Sequence, residues 1–174
     1  PYDVFALQKA ALLACGIIPS KGGNLNEILE RLGGGFVMHS EVTNVPKGSG
    51  LGTSSILSAA CVKAIFEFMG IPHTEDDLYG YVLAMEQIMS TGGGWQDQYG
   101  GVLHGIKLLQ TEPGIRQMAT PRWLPDNIFT DSQTKPCHLL YYTGVTRTAK
   151  NILAEIVRGM FLNSNSHLAL LDEM

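Results

Sequence analysis

The chain has 174 residues and a formal net charge of −4, with 45% hydrophobic and 16% charged residues. That hydrophobic share supports a packed core and excludes a disordered chain, while the acidic balance excludes a nucleic-acid surface built on bulk charge. No apolar run reaches the roughly 20 residues of a membrane span, no signal peptide heads the chain, and Cys15, Cys61 and Cys137 lack disulfide-framework or zinc spacing, so a cytoplasmic, reducing setting is expected.

Val4 to Cys15 is apolar with Gln8 and Lys9 interposed, and predicts a helix closed by Gly16; Asn24 to Leu32 predicts a second, ended by Gly33-Gly34-Gly35. Phe36 to Val45 is rich in Val, Thr and Phe and predicts a strand that stops at Pro46. Leu57, Cys61, Ile65 and Phe68 recur at helical spacing, so Ser54 to Met69 reads as a mostly buried helix. Thr74 with Asp77 has the form of a capping box, and Leu78, Tyr81, Val82, Met85 and Met89 continue one face of a fourth helix. Gly92-Gly93-Gly94 breaks it. Val102 to Leu109 and Ile115 to Thr120 predict a hairpin around Glu112-Pro113-Gly114. Residues 121–136 read as a linker or long loop, His138 to Tyr142 as a strand, and Thr146 to Phe161 as a helix. A domain boundary is placed in that loop, separating 1–135 from 136–174. The chain opens on Pro1 and stops at Met174 without a final strand, so a fragment of a longer protein is expected.

The segment from Pro46 to Ser55, Pro-Lys-Gly-Ser-Gly-Leu-Gly-Thr-Ser-Ser, stands between the predicted strand and helix. Gly48, Gly50 and Gly52 permit tight turns that aim several N–H groups at one ligand. Thr53, Ser54 and Ser55 open a helix whose N-terminus adds unsatisfied donors and a positive dipole end. The segment is thus an anion cradle, with phosphate its natural guest. No Lys precedes the Ser/Thr pair, which excludes the P-loop, and the G-x-G-x-G spacing misses the dinucleotide fingerprint.

Glu86 falls near the C-terminal end of its helix, where the dipole disfavours a carboxylate and a cation would offset it. Asp97 follows eleven residues later, beyond Thr91-Gly92-Gly93-Gly94 and Trp95. Two carboxylates on either side of a glycine turn can divide phosphoryl transfer between them: one holds Mg²⁺, the other accepts or orients a hydroxyl proton. Each residue also has a plainer reading. Glu86 could be a solvated helix-face residue and Lys47 a solvated loop residue, while Trp95 could stack on a sugar or pack the turn. Arg147, at a strand-to-helix turn, could reach phosphate or sugar. The five scattered histidines receive no role.

Pro46 to Ser55 resembles the second signature of the GHMP kinases, P-x-x-x-G-L-G-S-S-A, with Thr53 in place of the first Ser and Ser55 in place of the Ala. By that resemblance residues 47–55 (Lys47, Gly48, Ser49, Gly50, Leu51, Gly52, Thr53, Ser54, Ser55) hold the phosphates of ATP. Ser54 and Glu86 ligate Mg²⁺, Asp97 is the catalytic base, and Gly93, Gly94, Asp97 and Arg147 contact the sugar. Thr91 to Gln98, Gly100-Gly101 and Tyr141 to Lys150 are similar to the L-fucokinase branch, including the kinase part of the bifunctional fucokinase/GDP-fucose pyrophosphorylases. This implies phosphorylation of the anomeric hydroxyl of L-fucose to fucose 1-phosphate. The heptose 7-phosphate kinases share the Gly-Leu-Gly and Gln-Asp-Gln elements and are the competing substrate class. A non-catalytic nucleotide or sugar sensor on the same fold is the alternative of another kind, and retention of both Glu86 and Asp97 speaks against it. The implied fold is α+β: most of a GHMP N-terminal domain, with its ribosomal-protein-like left-handed βαβ arrangement, followed by the start of a ferredoxin-like C-terminal domain. The first signature would lie before Pro1 and the third after Met174. Sugar and ATP are the expected partners, with neither nucleic acid nor membrane, and nothing in the sequence specifies an oligomeric state.

Overall fold

The computed structural model describes residues 3–46, 48–89, 94–114, 118–144 and 149–173. In chain order these form helices α1 (Ala6–Ala14), α2 (Leu25–Leu32), α3 (Thr53–Met69), α4 (Glu75–Ile88) and α5 (Gln96–Val102). Strands β1 (Lys107–Gln110) and β2 (Thr120–Trp123), helix α6 (Asn127–Thr130), a 3-10 turn (Lys135–Cys137), and helices α7 (Ala149–Phe161) and α8 (Asn165–Asp172) follow. Among the described residues no helix is long and apolar enough to cross a membrane.

The core lies where α1, α3 and α4 meet. α3 contributes Cys61, Val62, Ile65 and Phe66, and α4 contributes Leu78 and Met85, all buried. Ala10 and Ala11 of α1 are also buried, and their small side chains let its backbone come close to the larger pair. Phe66 meets Tyr81 edge to face with ring centroids 4.9 Å apart. Each helix end matches a local signal. Asn24 accepts from the Asn26 amide, and Gly33 closes α2 in the left-handed conformation. Thr74 and Asp77 form the reciprocal capping box of α4, and Gly70 closes α3. Gly16, just beyond the end of α1, has φ +69°.

Several expected strands are absent or displaced. Phe36, Met38 and Ser40 are half-buried while Val37, His39 and Glu41 are exposed, so the segment alternates as a strand does. Phe36 and Met38 pack on the helical core. It nevertheless forms no ladder, because no strand runs beside it among the described residues, and a strand is defined by the neighbour that pairs with its backbone groups. The expected left-handed βαβ unit is therefore not seen in the described residues. The hairpin exists with its strands shifted toward the C-terminus, and β1 pairs antiparallel with β2 in the register Leu108↔Arg122. Val102, expected in a strand, ends α5 instead. There Lys107 Nζ donates to the Leu103 carbonyl, capping the helix end with a cation. Residues 115–117, part of the expected second strand, lie outside the described residues, and the expected linker carries β2, α6 and the 3-10 turn.

Leu139, Leu140, Tyr141 and Tyr142 are exposed and make no ladder, so the strand expected at 138–142 is absent. The expected ferredoxin-like start is not seen; α7 and α8 pack on each other instead. Their approach is tight at Gly159, where a Cβ would fall 2.4 Å from the His167 ring.

Candidate active site

Three helix ends converge on one carboxylate. α3 begins at the glycine loop, α4 brings Glu86 in its last turn, and α5 begins just before Asp97. Helices α3 and α5 touch closely because residue 101 is glycine: a Cβ there would fall 2.9 Å from Ile56 Cγ1 and 3.3 Å from the Ile56 amide nitrogen.

Within the loop Gly48, Gly50 and Gly52 have φ of +74°, +76° and +65°, a conformation that costs an L side chain but not glycine. The Ser49 amide donates to the Pro46 carbonyl, and its shielded hydroxyl has no partner among the described residues. Gly52 is the N-cap of α3, and no side chain caps that end among the described residues. The first N–H groups of this 17-residue helix are therefore open to an anion. Leu51 and Ser54 are exposed, Thr53 is half-buried and Ser55 is fully buried.

Glu86 is only 7% exposed. The Ser55 hydroxyl donates to its Oε1 at 2.5 Å, and the Gln98 amide donates to its Oε2. Burial raises the Glu86 pKa above the ordinary carboxylate range; the hydrogen bonds from Ser55 and Gln98 oppose the rise, and the charge of Asp97 adds to it. Asp97 is itself exposed in the first turn of α5, where the helix dipole favours a carboxylate. Trp95 meets Tyr99 edge to face at 6.1 Å.

The structure thus brings Ser55, Glu86 and Gln98 into contact, with Asp97 close by, whereas Ser54, the expected metal ligand, is exposed. Gly94 is exposed as well, and Lys47, Gly93 and Arg147 lie outside the described residues. Sequence reasoning gave Ser55 only to phosphate and gave Gln98 no role. The signal for Gln98 was its place in Gln-Asp-Gln: on a helix the residue after an exposed Asp turns about 100° away, here toward the core.

A Mg²⁺ ion fits this donor set. Among the described residues no cluster of three or more His, Cys, Asp or Glu could cage a metal. One buried carboxylate beside a serine-rich helix start is nonetheless the kind of site in which Mg²⁺ takes a single protein carboxylate and completes its shell with phosphate oxygens and water.

Residues 22–105 match the model of the GHMP kinases N terminal domain. The chain is 52% identical, over 98% of its length, to the L-fucokinase/L-fucose-1-P guanylyltransferase of Bacteroides fragilis. It is 36% identical over 89% of its length to the bifunctional fucokinase/GDP-fucose pyrophosphorylase of Arabidopsis thaliana. A third relative, the D-glycero-alpha-D-manno-heptose 7-phosphate kinase of Campylobacter jejuni, is 31% identical over 67% of the chain. The chain spans 18%, 14% and 34% of the lengths of these three relatives. With its glycine loop, α3, α4 and α5 all inside the matched segment, this chain belongs to the GHMP kinase family and carries that family's N-terminal domain.

Proposed function

We propose that this chain supplies the ATP-binding part of a cytoplasmic sugar kinase that phosphorylates the anomeric hydroxyl of L-fucose to give fucose 1-phosphate. The observation that supports the reading is the buried Glu86 carboxylate joined by hydrogen bond to Ser55 in the first turn of α3, which sets a carboxylate beside a helix N-terminus. Residues 47–55 hold the nucleotide phosphates through backbone N–H groups and hydroxyls. Ser54 and Glu86 hold Mg²⁺, which when bound offsets the charge of the phosphates.

Asp97 accepts the proton of the attacking sugar hydroxyl or orients that hydroxyl, and its exposure leaves it free to meet a substrate. Gly93, Gly94 and Arg147 are assigned to sugar binding. Residues 1–135 constitute the N-terminal domain and 136–174 the start of the C-terminal domain. The names of the Bacteroides and Arabidopsis relatives favour L-fucose, since both match most of this chain at higher identity than the heptose 7-phosphate kinase.

A coupled ADP-release assay of the full-length protein with L-fucose, D-arabinose, galactose and heptose 7-phosphate tests the reading. L-Fucose is expected to give the highest kcat/KM. Preference for the heptose phosphate would replace the substrate, and absence of ADP release with every sugar would remove the kinase assignment.

A further inference from the structure

We propose that Ser55 and Gln98 form a clasp that positions the Glu86 carboxylate for a metal–nucleotide complex, a role that rests on the function proposed above. Ser55 stands where the family signature has alanine. That hydroxyl is spent on Glu86 Oε1, while Gln98 takes Oε2 from the opposite helix. One donor comes from α3 and the other from α5, and the acceptor sits on α4, so a single carboxylate fixes three elements. Donors arriving from two different helices hold the carboxylate group in one orientation.

Gln98 carries a second sign of function. It is 1% exposed, and its Oε1 has no hydrogen-bond partner among the described residues. Packing alone would favour Leu or Met at such a position, because a buried acceptor without a donor is destabilising. The amide is kept in the orientation that presents Nε2 to Glu86. Because Asp97 directly precedes Gln98, anchoring Gln98 also anchors the first turn of α5 that carries Asp97. Ser55 and Gln98 are positioning residues: each acts on Glu86 rather than on the reacting atoms.

The test is Mn²⁺ titration of the full-length protein with a saturating non-hydrolysable ATP analogue, read from the EPR amplitude of free Mn²⁺. It compares wild type, Ser55→Ala and Gln98→Leu. Removal of either donor is expected to weaken Mn²⁺ uptake about 10-fold or more. In Gln98→Leu, affinity for the analogue without metal should stay within about twofold, which a general loosening of the fold would not allow, and in both variants the KM for Mg²⁺ in turnover should rise more than kcat falls. Ser55→Ala removes one hydroxyl and installs the family's residue, so it decides the matter alone if Gln98→Leu disturbs folding. Unchanged Mn²⁺ affinity in a cooperatively melting Ser55→Ala protein overturns the clasp and leaves the kinase reading intact. A wild-type protein that takes up no Mn²⁺ with the nucleotide overturns both.

Discussion

Gly101→Ala tests whether contact between α3 and α5 builds the site. Two terms oppose each other. Alanine is better than glycine inside a helix by about 1 kcal/mol, and residue 101 lies within α5. Against this, the new Cβ would fall 2.9 Å from Ile56 Cγ1, 3.3 Å from the Ile56 nitrogen and 3.6 Å from its Cα. The backbone atoms cannot move without shifting α3. Cγ1 could withdraw only by rotating χ1, and a β-branched residue in a helix has one strongly preferred χ1 rotamer. Overpacking of this kind costs about 1–3 kcal/mol, so after the helix-propensity gain the net expectation is a destabilisation of up to about 2 kcal/mol.

Gly100→Ala supplies the control, since a Cβ there meets nothing within 4 Å and only the helix-propensity gain of up to about 1 kcal/mol remains. Hydrogen–deuterium exchange of peptides covering residues 53–69 and 96–103 in the full-length protein measures both effects locally. Gly101→Ala should speed exchange in both peptides and lower kcat by displacing Gln98 and Asp97, while Gly100→Ala should slow exchange in the second. Equal protection in the two variants would refute the reasoning.

Asp97→Asn should lower kcat by about 10²–10⁴-fold with nucleotide binding retained, and near-normal turnover removes Asp97 as the base. Glu86 has a native pKa raised mainly by burial, so its contribution to stability is complete at acid pH. That contribution is lost as pH rises from the ordinary carboxylate range through the raised value. The melting temperature of the metal-free protein should decline across that window and Glu86→Gln should flatten the decline; parallel profiles would contradict the sign. Thr74→Ala removes the hydroxyl that accepts from the Asp77 amide and should cost about 1 kcal/mol. Faster amide exchange in the first turn of α4, largely restored by Thr74→Ser, checks it.

The helices were legible in the sequence because their signals are local: the Thr74–Asp77 box, the closing Gly33 and Gly70, and the helical spacing of Leu57, Cys61 and Ile65. Residues 36–41 show the limit of that reading. The strand-forming residue types of Phe36 to Val45 were readable, yet whether such a segment is a strand depends on a neighbour that its own residues do not specify. Helix α5 escaped notice because it is seven residues with two consecutive glycines, poor helix formers held in place by packing on Ile56 and by Lys107 at its end. In the site, loop glycines and carboxylates stood out by residue type. The contact of Ser55 with Glu86 did not, since adjacent helical residues differ only in direction and that direction is set by where α4 lies.

Gly52 at the start of α3 has a meaning beyond loop geometry. Asn, Asp and Ser are the best residues for beginning a helix because their side chains occupy its first free N–H groups. At position 52 that same virtue would be a fault: the side chain would be a resident competitor for the donors a phosphate must use, on a backbone at φ +65° that disfavours it besides. Helix α3 is left unfinished at the one end where a ligand can finish it. A substitution that improves the helix by ordinary stability criteria is therefore the one expected to close the site.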